Sequence, residues 1–165
     1  MSTSRYLVAL GSNQRHPLLG SPREAVAATA GLIDGPLGAV LACSPIIDSA
    51  PVGPSLRRYA NAVLVLESVL DPADLLVALQ ELETHLGRVR RGQRWRSRVI
   101  DLDIVLWSGG VVAQPRLAVP HPLFRTRDFV LGLAACVAPG WRDPLSGLTM
   151  AQLYARLTGN RPLPR

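Results

Sequence analysis

The sequence predicts a mixed α/β (α+β) fold with a ferredoxin-like βαββαβ core, extra C-terminal helices and a single domain. Apolar runs of strand length alternate with two stretches that begin with helix-capping residues, in the order β-α-β-β-α-β. The length of 165 residues fits one domain with a sizeable core. We expect this domain over residues 1–160 and a flexible tail over residues 161–165.

The first two elements are an apolar strand and a capped helix. Residues 6–10 are apolar and end at the turn sequence Gly-Ser-Asn of residues 11–13. At Ser21, the sequence Ser-Pro-Arg-Glu places proline first in a helix and glutamate three residues after the cap. This capping box and the Ala-rich stretch after it predict a helix that ends at about Ile33.

Two further strands are predicted before the second helix. Residues 39–48 are β-prone, and Pro45 favours an edge position or a bulge because proline cannot donate a ladder hydrogen bond. After a Pro/Gly-rich loop, residues 60–67 alternate regularly, and we expect them to pair antiparallel with the preceding strand. The alternation places Val63 and Val65 on one face and Leu64 and Leu66 on the other.

The second helix and the last core strand flank an Arg-rich segment. Asp71 is a helix cap, Pro72 the first helical residue and Gly87 the stop, and leucines recur between them at helical spacing: Leu75, Leu79, Leu82 and Leu86. Residues 99–107 form the next strand, and two helices, about 126–137 and 149–157, complete the domain. In that strand we expect one face to be filled by Ile100, Leu102, Ile104 and Leu106.

Composition excludes several classes of protein. A hydrophobic fraction of 48% excludes a disordered chain, and no apolar run approaches the roughly 18–20 residues that span a bilayer. Residues 6–10 are too short for a signal-peptide core, so we expect a cytoplasmic protein without a membrane partner. Cys43 and Cys136 lack Cys-x-x-Cys spacing, and we expect both to be reduced and buried.

The positive charge is concentrated in one segment. The net charge is +6, every basic residue other than histidine is arginine, and six of the 18 arginines lie within residues 88–98. Such a cluster predicts an anionic partner, either the phosphates of a nucleotide or those of a nucleic acid. Trp95 within it could stack on a flat heterocycle, and arginines interleaved with an aromatic residue are also typical of single-stranded nucleic-acid binding.

Asp101 and Asp103 are the strongest candidates for chemistry. Residues two apart on a strand point to the same face, about 6.5–7 Å apart, so the two carboxylates require cations nearby. Oxygen-only ligands next to arginines suggest Mg²⁺ bridged to phosphate. The alternative is a structural cluster in which the carboxylates pair with arginines of the segment. The phosphate backbone of a nucleic acid would be repelled by these carboxylates unless metal ions lay between them.

Other candidates are polar residues near predicted strand and helix ends. His121 lies in a Pro-bracketed loop and could donate to a phosphate, although a lone histidine is more often structural. Gln80 and Glu83 share a helix face that points toward the Arg-rich segment or is simply solvated. Tyr59 and Asn61 share a strand face, and the asparagine amide offers both the donor and the acceptor that an N-heterocycle needs. No P-loop or dinucleotide-binding glycine motif is present.

Five ordered motifs together resemble one enzyme family. They are ALGSN at 9–13, YANAVL at 59–64, GRVR at 87–90, RWRSRVIDLDIVLW at 94–107 and VPHP at 119–122. This pattern, from about residue 5 to about 143, resembles the 6-hydroxymethyl-7,8-dihydropterin pyrophosphokinase family of folate biosynthesis. The resemblance implies transfer of pyrophosphate from ATP to the hydroxymethyl group of the pterin, with release of AMP. A ferredoxin-like RNA-binding domain that uses residues 88–98 remains the alternative.

The resemblance also assigns roles to individual residues. It implies that Asp101 and Asp103 hold two Mg²⁺ ions, and that Arg88 and Arg98 are catalytic. ATP-site positions would be Gln80, Glu83, Arg90, Ile104, Arg116, His121 and Arg127. Pterin-site positions would be Ser49, Ala50, Val52, Tyr59, Asn61, Trp95 and Phe129, with Trp95 closing over the ring. The partners would be ATP and the pterin, with no nucleic acid, and the protein a monomer.

The chain departs from the family pattern at two places. Pro122 follows His121 where the family often has an aromatic residue, and Ala50 stands where proline is often found. Neither change removes a charged or metal-binding group, so we expect activity to be retained.

Overall fold

The computed structural model describes residues 2–51, 57–87 and 99–165. The strands are β1 (Ser4–Ser12), β2 (Ala39–Cys43), β3 (Ile47–Ser49), β4 (Tyr59–Ser68), β5 (Asp101–Trp107), β6 (Val112–Gln114) and β7 (Leu117–Val119). The helices are α1 (Pro22–Ile33), α2 (Pro72–His85), α3 (Asp128–Val137) and α4 (Met150–Thr158), with a 3₁₀ turn at Phe124–Thr126. No helix among these residues is long and apolar enough to cross a membrane.

The main sheet has the predicted ferredoxin-like topology. Its strand order is β2-β4-β1-β5, β3 also pairs with β4, and all pairings are antiparallel. The strand predicted over 39–48 is broken into β2 and β3, with Pro45 in the break. Ser44 bridges this break, because its backbone N–H donates to Val63 O over 2.8 Å and its Oγ accepts from Val63 N over 2.9 Å.

Helices cover both faces of the sheet, so the molecule has three layers. On one face, α1 and α2 pack over a core cluster that includes Tyr6, Leu64, Leu66, Leu75 and Leu79. On the other face, α3 and α4 pack over Leu7, Val63, Val65, Leu131 and Tyr154. The predicted division of valines and leucines along β4 is therefore confirmed.

The predicted helix starts are confirmed by their capping bonds. The Glu24 backbone N–H donates to Ser21 Oγ over 3.3 Å, and Glu24 Oε2 accepts from Ser21 N over 2.7 Å, which completes the capping box of α1. Asp71 caps α2 by accepting from Asp74 N over 2.9 Å. The first of the two C-terminal helices is divided, since the 3₁₀ turn precedes α3.

Two packing predictions are wrong. Leu106 does not continue the face of Ile104, because a register shift opposite Leu7 and Val8 places both Val105 and Leu106 in the α3–α4 core. Cys43 and Cys136 are free thiols as expected, but Cys43 is exposed and Cys136 is partly exposed. Cys43 ends an edge strand whose alternate residues face solvent.

The β6–β7 hairpin was not predicted from the sequence. Its two strands pair antiparallel, from Val112↔Val119 to Gln114↔Leu117. The loop that follows is anchored to the main sheet, because the backbone N–H of His121 donates to Val105 O over 3.0 Å. The hairpin therefore stands beside β5, at the strand that carries the two predicted catalytic carboxylates.

Candidate active site

Two rows of residues cross the main sheet on the face of α3 and α4. One row is Asp101–Gly11–Asn61, and the next is Asp103–Ala9–Val63, each with the central residue on β1. Gly11 and Ala9 are both partly exposed, so the middle strand carries little side-chain volume. Strands in a sheet lie about 4.7–4.9 Å apart, which separates Asp101 from Asn61 by about 10 Å. The rows thus form an open floor with carboxylates at one side and an amide at the other.

Gly11 leaves the middle of this floor open because it has no side chain. A Cβ atom at this position would lie 3.3 Å from Asn61 Oδ1 and 3.8 Å from Tyr59 Cδ1. The first distance is tighter than ordinary van der Waals contact, so any larger side chain would compete for the space beside Asn61.

His121 stands next to the carboxylate pair. Its Nε2 lies 3.9 Å from Asp103 Oδ2, and its Nδ1 accepts from Leu123 N over 3.2 Å. Burial and the positive charge of Arg127 lower the pKa of His121, while the charge of Asp101 opposes them. The ring is therefore neutral at pH 7, and its Nε2–H is the donor that faces the carboxylate side of the site.

Glu83 contacts the backbone of β5. Its side chain is 1% exposed, and Oε1 accepts from the backbone N–H of Leu102 over 2.8 Å. Leu102 lies between the two aspartates on an edge strand, where alternate N–H groups have no neighbouring strand. The solvated-face alternative is wrong for Glu83, whereas Gln80, one helical turn earlier, is only partly buried.

A cavity of about 570 Å³ joins α2, β5 and the β6–β7 hairpin. Most of the ATP-site positions expected from the sequence line this cavity. Arg127 is not on the lining, but its positive charge lowers the pKa of His121, which is. The hairpin residues on its wall were missed by the sequence analysis, although the Gly109-Gly110 turn was a usable signal. The expected residues on its lining are Gln80, Glu83, Asp101, Asp103, Ile104, Arg116 and His121.

The expected pterin residues lie at the other side of the floor. Asn61 Nδ2 donates to Ser49 Oγ over 2.7 Å and to the Tyr59 carbonyl over 3.3 Å, and the Asn61 side chain is buried. Ser49 and Tyr59 are paired across β3 and β4. A second cavity, of about 510 Å³, has Ser49, Ala50 and Phe129 on its lining. The structure thus brings together all the described pterin-site candidates.

Comparison with known proteins identifies the family. A family model described as 7,8-dihydro-6-hydroxymethylpterin-pyrophosphokinase (HPPK) matches residues 7–139. This chain belongs to the HPPK family. A Pseudomonas aeruginosa relative is 42% identical over 153 residues, which cover 92% of this chain and 90% of the relative. A Methylorubrum extorquens relative is 34% identical over 93% of this chain and 94% of its own length. Both are named 2-amino-4-hydroxy-6-hydroxymethyldihydropteridine pyrophosphokinase.

A solved structure confirms the HPPK fold. A Plasmodium falciparum HPPK-DHPS triple mutant superimposes with a TM-score of 0.72 at 14% sequence identity and covers 96% of this chain. The present chain spans only 45% of that longer protein. Because the identity is low, this likeness supports the fold alone. The alternative of a ferredoxin-like RNA-binding domain receives no support from any of these matches.

Five residues expected in the HPPK site lie outside the described residues: Val52, Arg88, Arg90, Trp95 and Arg98. Their roles as pterin contact, phosphate ligands and lid stay predictions from the sequence. The described part of the site includes the two aspartates, His121, Glu83 and the floor between Asp101 and Asn61.

The donor set on β5 suits a metal ion that is shared with substrate. Within the described ranges, no group of three or more His, Cys, Asp or Glu residues could hold a metal by itself. Mg²⁺ usually takes one or two carboxylates and completes its shell with water and substrate phosphates. Asp101 and Asp103, side by side on one cavity wall, fit that pattern.

Proposed function

We propose that this chain transfers pyrophosphate from ATP to the hydroxymethyl group of 6-hydroxymethyl-7,8-dihydropterin, which gives AMP and the pterin diphosphate for folate biosynthesis. Membership of the HPPK family and the names of its relatives support the activity. The observation that carries the site assignment is the row Asp101–Gly11–Asn61, which joins the carboxylate side to the amide side across one open floor.

We propose that ATP occupies the cavity between α2, β5 and the β6–β7 hairpin. Asp101 and Asp103 would hold Mg²⁺, two ions in all, together with the phosphates of ATP. When bound, Mg²⁺ offsets the charge of the carboxylates and phosphates and makes the transferred group more electrophilic. The neutral His121 Nε2–H is placed to donate to an oxygen next to Asp103. Arg116 and Gln80, also on this cavity, supply further donors.

The pterin would bind at the opposite end of the floor. Asn61, held by Ser49, offers an amide to the edge of the ring, while Tyr59 and Phe129 offer aromatic faces. With the ring held there, its hydroxymethyl group would extend over Gly11 toward Asp101. The chain's contribution to rate is then mainly placement of two reactants in line, which can lower a barrier by several kcal/mol.

The roles proposed for the arginines of residues 88–98 rest on the sequence alone. Guanidinium groups bind phosphate oxygens in pairs. The family resemblance assigns Arg88 and Arg98 to the transferring group. Arg90 is assigned to ATP, and Trp95 to a lid over the pterin. We also propose that the protein acts as a cytoplasmic monomer without nucleic-acid or membrane partners.

The decisive assay separates AMP from ADP. Purified protein is incubated with ATP, Mg²⁺ and the hydroxymethyl-dihydropterin, and nucleotides are resolved by chromatography. We expect AMP in amounts equal to the pterin diphosphate, and only when metal and pterin are both present. Formation of ADP, or of AMP without pterin, would contradict pyrophosphoryl transfer.

A further inference from the structure

The residues that follow α4 form a strap along α3. The chain turns through two left-handed residues, Gly159 at φ 64° and Asn160 at φ 65°, and residues 161–164 then lie against α3. Arg161 Nη1 donates to Asp128 Oδ2 over 2.9 Å at the start of α3, and the Pro164 carbonyl accepts from Cys136 Sγ over 3.5 Å near its end. We call residues 161–164 the strap; they belong to the segment for which the sequence predicts a flexible tail.

A glycine on α3 makes room for the strap. A Cβ at Gly132 would lie 3.0 Å from both Cγ and Cδ of Pro164, and 2.9 Å from Cε2 of Tyr154. Glycine inside a helix costs about 0.5–1 kcal/mol relative to alanine, so this position trades helix stability for close packing. The Tyr154 hydroxyl fixes the strap a second time, since it donates to the Pro162 carbonyl over 2.9 Å.

The strap forms one wall of the cavity that holds Phe129. Arg161, Pro162 and Pro164 line the same 510 Å³ space as Ser49, Ala50 and Phe129. Phe129 is the second residue of α3, directly after Asp128, and the N-terminus of α3 has no side-chain cap. The first turn of this helix is linked to the strap through the carboxylate of Asp128, which accepts from Arg161.

We propose that the strap positions Phe129 and closes the outer side of the pterin site, so that Gly132, Arg161 and Pro164 are positioning residues for the pterin and not for ATP. This inference rests on the proposed function. The effect on binding should be selective for the pterin, because among the described residues none lines both the strap cavity and the cavity assigned to ATP. The Arg161–Asp128 pair is exposed and by itself contributes little free energy to holding the strap. The close packing of Pro164 against Gly132 therefore contributes most of the positioning.

Gly132→Ala is the main test, because it improves helix propensity while its methyl group would lie 3.0 Å from Pro164 and 2.9 Å from the Tyr154 ring, which itself binds the strap. We expect the KM for the pterin to rise about tenfold, as overpacking at a close contact predicts, with the KM for ATP and kcat within twofold of wild type. Direct pterin binding, followed by fluorescence without ATP, should weaken by the same factor. The matched control is Arg156→Ala, an exposed arginine on α4, which should leave all constants unchanged.

A second full-length variant protects the test from simple misfolding. Arg161→Ala combined with Pro164→Gly loosens the strap without changing α3, and we expect the same selective rise in pterin KM. Adding Gly132→Ala to it should raise the pterin KM by less than Gly132→Ala does alone, because the contact with Pro164 is already lost and only the contact with Tyr154 remains. Equal rises in both KM values, unchanged pterin binding in both variants, or fully additive effects would each overturn the inference. Absence of AMP formation by the wild type would instead overturn the proposed function.

Discussion

At the scale of single residues, the two carboxylates on β5 are the proposed ligands of Mg²⁺. Asp101→Asn and Asp103→Asn keep the size of each side chain but remove a negative metal ligand, so we expect turnover to fall at least about a hundredfold. The fold should persist, because Asp101 is only partly buried and Asp103 is 39% exposed. AMP formation and thermal unfolding are the measurements, with the exposed Asp74→Asn on α2 as control. Normal turnover in either variant would refute the carboxylate assignment.

Substitutions of Gly11 test whether the pterin binds over the floor between Asn61 and Asp101, as proposed. Gly11→Val suits a β-strand but adds branched volume where a Cβ alone would already be 3.3 Å from Asn61 Oδ1. We expect the pterin Kd to rise more than about tenfold, with a smaller rise for Gly11→Ala. Gly31→Ala on α1, where a Cβ meets nothing within 4 Å, is the matched control. If Gly11→Val binds the pterin normally, the ring does not cross this floor.

At the scale of elements, α2 supports the exposed edge of β5. Glu83→Ala would leave the buried Leu102 N–H without its carboxylate partner, which costs about 1–3 kcal/mol of unfolding free energy. Because Leu102 separates the aspartates, we also expect a higher Mg²⁺ concentration for half-maximal AMP formation. Glu83→Gln keeps an acceptor and should recover most of both losses. The exposed Glu81→Ala on the same helix is the control, and an unaltered Mg²⁺ requirement in Glu83→Ala would restrict Glu83 to stability.

The elements themselves were predictable to different degrees. Alternation along β4 and the caps at Ser21 and Asp71 depend on local chemistry, and the structure confirms them. The position of Leu106 depends on a bulge against β1, which no local pattern in β5 reveals. The β6–β7 hairpin has three-residue strands, too short for periodicity to indicate. Its place beside the aspartates is set by tertiary packing.

At the scale of the whole molecule, strand order assembles the site from distant segments. Ser12 lies at the end of β1, and Tyr59 and Asp101 lie at the starts of β4 and β5. These residues come together because β1 lies between two antiparallel neighbours. The sequence motifs indicated the participants but could not give the contact of Glu83 with the β5 backbone or that of the strap with α3. Both depend on which helix packs against which strand or helix.

An ion pair whose carboxylate is buried joins the loop after α3 to the 3₁₀ turn Phe124–Thr126, which precedes α3. Arg125 Nε and Nη2 donate to Asp143 over 2.7 and 2.6 Å, and the Asp143 side chain is fully buried. Burial alone would raise the pKa of Asp143, but hydrogen bonds from Arg125, Ser146 and the Leu145 backbone, together with the charge of Arg125, lower it to about 2.

This pair makes the free energy of unfolding depend on pH in the acidic range. Since the folded pKa is depressed below the usual 3.8, the contribution is complete above about pH 4 and is lost as the pH falls toward 2. The shift corresponds to about 2 kcal/mol at neutral pH, and Asp143→Asn should lose about that much at pH 7. The difference between variant and wild type, from urea unfolding, should shrink between pH 4 and pH 2.5.

An exposed pair provides the contrast. Arg5 and Glu67 approach to 3.4 Å at the surface, so Glu67→Gln should change the unfolding free energy by less than about 0.5 kcal/mol at any pH. A loss in Asp143→Asn that stayed constant down to pH 2.5 would mean that packing of this loop, and not the charge of Asp143, stabilises the fold.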